Sequence, residues 1–200
     1  AVAVVYFVRM TRGASRQPVV KATPIALLAL AVVAATEAGP LRGWLAFGLL
    51  WSAAGDVWLA LDSRRYFVAG LACFLVAHLI YVGLFLQSSA VTTPGNIFSA
   101  VLLLFGLVVG TRLWPPLGKL RLPVTAYLLV IMLMGVAAAL HAPFSIWLAI
   151  GALLFALSDG AIAVDKFLRP LPARDWLVML SYYLAQALIV IGWLLSQSAL

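Results

Sequence analysis

The 200 residues are 66% hydrophobic and only 10% charged, with a mean hydropathy of +1.14, a balance that excludes a soluble globular domain. The formal net charge of +7 does not point to nucleic acid, because the basic residues stand in short clusters between apolar runs, which is how membrane topology is encoded. A single cysteine, Cys73, lies inside an apolar run and leaves neither a disulfide framework nor a cysteine-rich metal site to be built.

In chain order, the stretch AVAVVYFV at residues 1 to 8 is apolar but too short to span a bilayer; with no initiating Met and no signal-peptide pattern, it reads as the end of a first helix whose start is missing. Seven spanning segments come next, at roughly 21–37, 41–61, 65–87, 95–113, 122–140, 144–164 and 175–196. At 1.5 Å per residue most are long enough for a hydrocarbon core of ~30 Å. The breaks carry turn-forming residues, in EAGPLRG, VTTPGN, WPPLGK, HAP and LRPLPARD, and no connection is long enough to form a soluble domain. The expected fold is an all-α polytopic transmembrane bundle of eight helices, the first incomplete, forming a single integral membrane domain over residues 1–200.

Basic residues set the sidedness. Arg9, Arg12, Arg16 and Lys21 come after the first helix, and Arg64 and Arg65 sit in the third connection. Arg112, Lys119 and Arg121 sit in the fifth, and Lys166, Arg169 and Arg174 in the seventh. Only Arg42 lies in the other set of loops. The positive-inside rule then places these four loops in the cytoplasm and both termini outside, in a multi-pass protein of the cell's inner membrane.

The sequence also repeats. WLAFGLLWSAAGDVWLALD (Trp44 to Asp62) aligns with WLAIGALLFALSDGAIAVD (Trp147 to Asp165), with nine identities in nineteen positions. In the eight-helix numbering these are the third and seventh helices, and the simplest account is a 4+4 parallel pseudo-repeat. Asp56 matches Asp159, and Asp62 matches Asp165. Of the six acidic residues, Asp56 and Asp159 are the two inside spans. Asp56 lies five residues before Leu61 and Asp159 five before Val164, which predicts one depth for both, about 8 Å from the cytoplasmic end. A charge there costs ~2.5 kcal/mol or more. Two readings are open: structural hydrogen-bonding between helices, or a functional pair facing a polar cavity with carboxyls within about 10 Å of each other.

Other polar residues can be set against that depth. In FVAGLACFLVAHLIYVGLF, residues Phe67, Gly70, Phe74, His78 and Tyr81 recur at spacings of three and four and share a helix face. The aromatic stripe fits ordinary packing or an alkyl-chain track. His78, near mid-membrane, fits an interhelical hydrogen bond or the orientation of a polar substrate group. Lys21 either snorkels to headgroups or, like Tyr127, reaches the aspartate level. Tyr182, Tyr183 and Gln186 mark the last span.

The motifs GDVWL, F-x2-G-x3-F-x3-H-x2-Y, LPVTAY, GALLFALSDGAIAVDKF and YYLAQ together resemble the YhhN-like family of eight-helix membrane proteins, which includes the mammalian lysoplasmalogenases. The resemblance runs from Lys21 to Gln186. It implies Asp56 and Asp159 as the acidic pair, and Lys21, His78, Tyr127, Tyr183 and Gln186 as further polar site positions. It also implies hydrolysis of the vinyl-ether bond of a lysophospholipid drawn from the bilayer, without metal or cofactor. For such a substrate the aromatic stripe, with Phe74 and Tyr81, is expected to lie along the alkenyl chain. The chain carries neither G-x-S-x-G nor H-E-x-x-H. The competing expectations are a proton- or ion-coupled transporter, in which the aspartates bind the coupling ion, and a lipid-binding protein without turnover.

Overall fold

The computed structural model describes residues 18–35, 40–61 and 63–198. The segment at residues 1–8, the Arg9–Arg16 cluster, Glu37 and Asp62 lie outside the described residues. Among those described are seven α-helices and no strand: α1 (Pro18–Ala34), α2 (Pro40–Leu59), α3 (Arg64–Phe85), α4 (Thr93–Leu113), α5 (Arg121–Leu140, preceded by a 3₁₀ turn at Gly118–Leu120), α6 (Ile146–Phe167) and α7 (Arg174–Ser198). Each boundary falls within three residues of the predicted span. Five helices, α3 to α7, are long and apolar enough to cross a membrane. Of the other two expected spans, α1 is 17 residues long as described, and α2 carries Arg42, Ser52 and Asp56 among its apolar residues.

Local chemistry sets the helix ends. The Thr92 hydroxyl accepts from the Gly95 N–H at the start of α4, and Ser145 accepts from the Leu148 N–H at the start of α6. Ser63 does the same for Tyr66 at the head of α3, so the chain has to leave α2 before residue 63. Gly118, at φ 50°, takes the left-handed turn that glycine accommodates without steric cost. Asp165, one of the duplicated aspartates, accepts from the Leu171 N–H at 3.0 Å and lies 3.5 Å from Arg174, which organises the connection into α7.

The chain divides between Tyr81 and Val82 into two compact units. In the first, α1 packs along α2. Ala22, Ile25, Ala29 and Val32 are buried on one face of α1, while Val19, Leu27, Leu30 and Val33 are exposed on the others. An outward side that is apolar and uncovered by protein is what a hydrocarbon solvent selects.

In the second unit α6 and α7 make the most extensive helix pair. A Cβ on Gly151 would stand 2.9 Å from the Ile189 nitrogen, and one on Gly192 would meet the Leu148 backbone. These helices touch backbone to backbone, the packing that small residues permit in a membrane. At one end of this unit the connections after α3 and α5 form a clasp: Ser89 and His141 make an antiparallel bridge, with Ala90 N–H donating to Leu140 O at 2.8 Å and Ala142 N–H to Ser88 O at 2.9 Å. The fully buried His141 ring joins three helix ends, with Nδ1 2.8 Å from the Phe85 carbonyl and Nε2 2.8 Å from Ser196 Oγ. A carbonyl only accepts, so Nδ1 carries a hydrogen, and the Ser196 hydroxyl that meets Nε2 also donates to the Trp193 carbonyl at 2.6 Å.

Replacing His141 with Leu leaves the Phe85 carbonyl and the Ser196 hydroxyl without the imidazole. Thermal unfolding in detergent is expected to show a loss of about 1–3 kcal/mol. An unchanged midpoint would show that the clasp does not hold the helix ends together.

Candidate active site

The windows carrying Asp56 and Asp159 bury corresponding positions. Leu45, Ala46, Gly48, Leu49, Ser52, Ala53, Gly55 and Asp56 are buried in α2; Leu148, Ala149, Gly151, Ala152, Phe155, Ala156 and Ser158 are the matching buried positions in α6, where Asp159 itself is half-buried. Each aspartate thus lies near the C-terminal end of the packed stripe of its helix, in which small residues alternate with larger apolar ones.

Within the first unit, Lys21 of α1 meets Asp56 of α2. The ammonium lies 3.8 Å from the carboxylate, and both residues are buried, Asp56 to 1% exposure. Lys21 is therefore turned into the protein, and the snorkelling alternative does not hold. The pairing brings two opposite charges out of water together, which a lone aspartate at this position would not tolerate. On α3, Phe67, Gly70, Phe74, His78 and Tyr81 are all buried, on the one face that their spacing predicts. Phe74 lies against Gly55 and Tyr81 against Gly48, where a Cβ would come within 2.6 Å of each ring. The seven-residue spacing is the same on both helices and runs in opposite senses, so two glycines of α2 receive two rings of α3. One of these contacts immediately precedes Asp56. The His78 ring is fully buried on the same face, 6.4 Å from the Phe74 ring between centroids.

Within the second unit, the Tyr127 hydroxyl of α5 donates to Asp159 Oδ2 of α6. The two border a chamber of about 40 Å³, which Phe105 and Val109 of α4 and Ile131 and Met132 of α5 help to enclose. That is enough for a water molecule. On α7, Gln186 is fully buried, and the Tyr182 ring packs between Phe155 and the half-buried Tyr183, with centroids 5.4 and 5.5 Å away. Ser158, the neighbour of Asp159, donates to the Val178 carbonyl at 3.1 Å and so ties α6 to α7.

The equal spacing from the ends of their helices expected for the two aspartates is not found. Asp56 is three residues, ~4.5 Å, from the end of α2, whereas Asp159 is eight residues, ~12 Å, from the end of α6. The cause is local. Ser63 starts the next helix and ends α2 early, while α6 runs on to Phe167 with Lys166 in its last turn, where a cation suits the helix dipole. Sequence reasoning did not single out Phe105, Val109 or Met132 as neighbours of Asp159. The only signal for them was their position on an otherwise apolar helix.

The Lys21–Asp56 pair can be measured separately from any activity. Lys21→Met is expected to destabilise the protein by about 3 kcal/mol by removing the cation beside a buried carboxylate. Adding Asp56→Asn should recover most of that loss, and equal additive losses in unfolding experiments would show that the two side chains do not interact.

The comparisons with known proteins agree on one family. The chain matches the YhhN family over residues 16–193. It is 38% identical over 191 residues to a Mycobacterium tuberculosis protein named Lysoplasmalogenase, covering 92% of this chain and 72% of that protein. It is 37% identical over 177 residues to Lysoplasmalogenase TMEM86B of Homo sapiens, covering 86% and 73%, and 34% identical over 154 residues to Lysoplasmalogenase TMEM86A of Homo sapiens, covering 72% and 62%. No solved structure matches. With a match across nearly all of the described helices, this chain belongs to the YhhN family.

Proposed function

We propose that the protein is a multi-pass membrane hydrolase that cleaves the vinyl-ether bond of lysoplasmalogens, releasing a fatty aldehyde and a glycerophospho-alcohol. The observation that carries this reading is the similarity to proteins named lysoplasmalogenase over most of their length. The two intramembrane aspartates, each with a polar partner inside its own unit, support it.

The chemistry suits two carboxyl groups. Protonation of the outer alkene carbon gives an oxocarbenium ion, water adds to that cation, and the resulting hemiacetal collapses, breaking the carbon–oxygen bond to glycerol. One carboxyl group supplies the proton. The other, as carboxylate, stabilises the cation and takes a proton from the attacking water, the division of labour that paired carboxyls provide in glycoside hydrolysis. Asp56 and Asp159 fill these roles. Lys21 offsets the charge of Asp56, and Tyr127 fixes the orientation of Asp159. His78, Tyr183 and Gln186 serve the polar part of the substrate, and Phe74 and Tyr81 its chain. The basic loops face the cytoplasm and attract the phosphate. An eighth helix at the start of the chain and a 4+4 parallel repeat complete this reading, and the matched burial along α2 and α6 favours the repeat.

Purified protein in detergent should release aldehyde from a lysoplasmalogen and none from its saturated ether analogue, which should act as a competitive inhibitor because the two are nearly the same shape. In deuterium oxide the reaction should slow, and the aldehyde should carry deuterium on the carbon next to its carbonyl. Movement of unaltered lipid driven by an ion gradient, with no aldehyde, would replace the hydrolase with a transporter.

Asp56→Asn and Asp159→Asn should each lower turnover by ~10²-fold or more, because an amide neither donates an acid proton nor carries charge. If the two act as one unit, the double variant should be no slower than the slower single variant. Near wild-type rates in either single variant would remove that aspartate from the mechanism.

A further inference from the structure

The chamber beside Asp159 and Tyr127, at about 40 Å³, has room for water but not for an alkyl chain. On the other side of α5 a second cavity of about 500 Å³ lies between α4 and α5, within the size range of a ligand site. Leu103, Gly106, Leu107, Gly110, Thr111 and Trp114 form its floor and one wall, and their spacing of three and four places them on one face of α4. Leu103, Leu107, Trp114 and, across from them, Leu129 are about half exposed or more, so the groove is open along its rim.

Two side chains border both spaces. Leu128 and Met132 of α5 line the groove and also line the chamber that holds Asp159. Met132 lies directly on Gly106, where α4 has no side chain to oppose it. Methionine is unbranched and changes rotamer easily. This side chain and Leu128 are thus the shared border of the groove and the chamber.

The groove also has a charged end. Trp114, which lines it, carries the Arg121 guanidinium 5.3 Å above its ring, and Arg121 Nε donates to the Trp114 carbonyl at 3.3 Å. Arg112 and Lys119 stand exposed at the same end. Tyr127 is six residues along α5 from Arg121, ~9 Å. A three-carbon glycerol together with an arginine side chain spans such an interval.

We propose that this groove is a lateral port, an entry position in which a single-chain phospholipid lays its hydrocarbon chain between α4 and α5, its phosphate against Arg121 and its chain-linking oxygen at Leu128 and Met132, the side chains that separate it from Asp159, before the chain takes up its reacting position along Phe74 and Tyr81. The assignment rests on the lipid-hydrolase reading for the identity of the ligand. The alternative occupant, a helix from a second copy packing on Gly106 and Gly110, is less suited, because Met132 and Leu128 already cover those glycines from within the chain.

The test is photo-crosslinking in phosphatidylcholine nanodiscs with a saturated ether lysophospholipid bearing a diazirine in mid-chain, followed by peptide mapping. Adducts are expected on the peptides spanning residues 103–114 and 128–132. Gly110→Leu fills the groove, and its Cβ meets only Leu128, whose Cδ2 it would approach to 3.1 Å; it is expected to lower this labelling about tenfold. Thr111→Trp fills the groove from its exposed rim and should do the same. Leu104→Phe, on the lipid-facing side of α4 away from the groove, should leave labelling unchanged. Adducts confined to other helices, or undiminished in both filled variants, would overturn the port. So would a dimer that Gly110→Leu dissociates while the groove stays unlabelled. Groove labelling without aldehyde release from a lysoplasmalogen would keep the lipid port and remove the hydrolase, whereas aldehyde release without groove labelling would do the reverse.

Discussion

A carboxylate inside an apolar helix has to be met by a donor from a neighbouring helix, and that requirement shapes the arrangement around Asp56 and Asp159. Lys21 is drawn inward from α1 to Asp56, and Tyr127 of α5 turns its hydroxyl to Asp159. Each pairing fixes the rotation of two helices about their own axes, because a buried polar group left unmet in hydrocarbon costs several kcal/mol. Packing is set in turn. Once α2 presents Asp56 inward, Gly48 and Gly55 on the same helix receive Tyr81 and Phe74 of α3. Once α6 presents Asp159, its small residues face α7.

Glycine and alanine do much of the work usually done by large side chains in a water-soluble core. The apolar surface of the chain is as much at ease in lipid as against protein, so burial alone gives the helices little reason to associate. Close backbone approach supplies van der Waals contact instead. Gly151 and Gly192 bring α6 and α7 together in this way, and Ser158 adds a hydrogen bond across the same pair. The outward faces remain rich in Leu and Val, and their exposure reflects the solvent they are built for.

The helices were legible in the sequence because hydropathy and turn residues act locally, and all seven described helices fall where the spans were expected. The partners of the aspartates were partly legible. Lys21 and Tyr127 stood near helix starts on the expected side, but a lysine's long stem permits both an inward and an outward course, and only packing decides between them. The two aspartates are unequally spaced from their helix ends because a helix end depends on the residues beyond the aspartate: a serine cap after α2, an added turn in α6. His141 gave no signal beyond the turn HAP, since its partners, Phe85 and Ser196, are more than fifty positions away. The chamber beside Asp159 was hidden for a similar reason. Apolar side chains that enclose a cavity look the same in sequence as those that face lipid.

The clasp at Ser89 and His141 has a mechanical consequence. It joins the connection leading into α4 to the connection leaving α5, and just beyond it a Cβ on Gly95 would run into the Ala139 carbonyl, so the two helices are pinned where α4 begins and α5 ends. The other ends are tied as well, by the short connection at residues 114–120 and by the hydrogen bond from Arg121 Nε to the Trp114 carbonyl at 3.3 Å. Two rods tied at both ends part only by bowing between the ties. Any widening between α4 and α5 is therefore greatest at mid-length, near Gly106 and Met132, and least at the histidine and at the arginine.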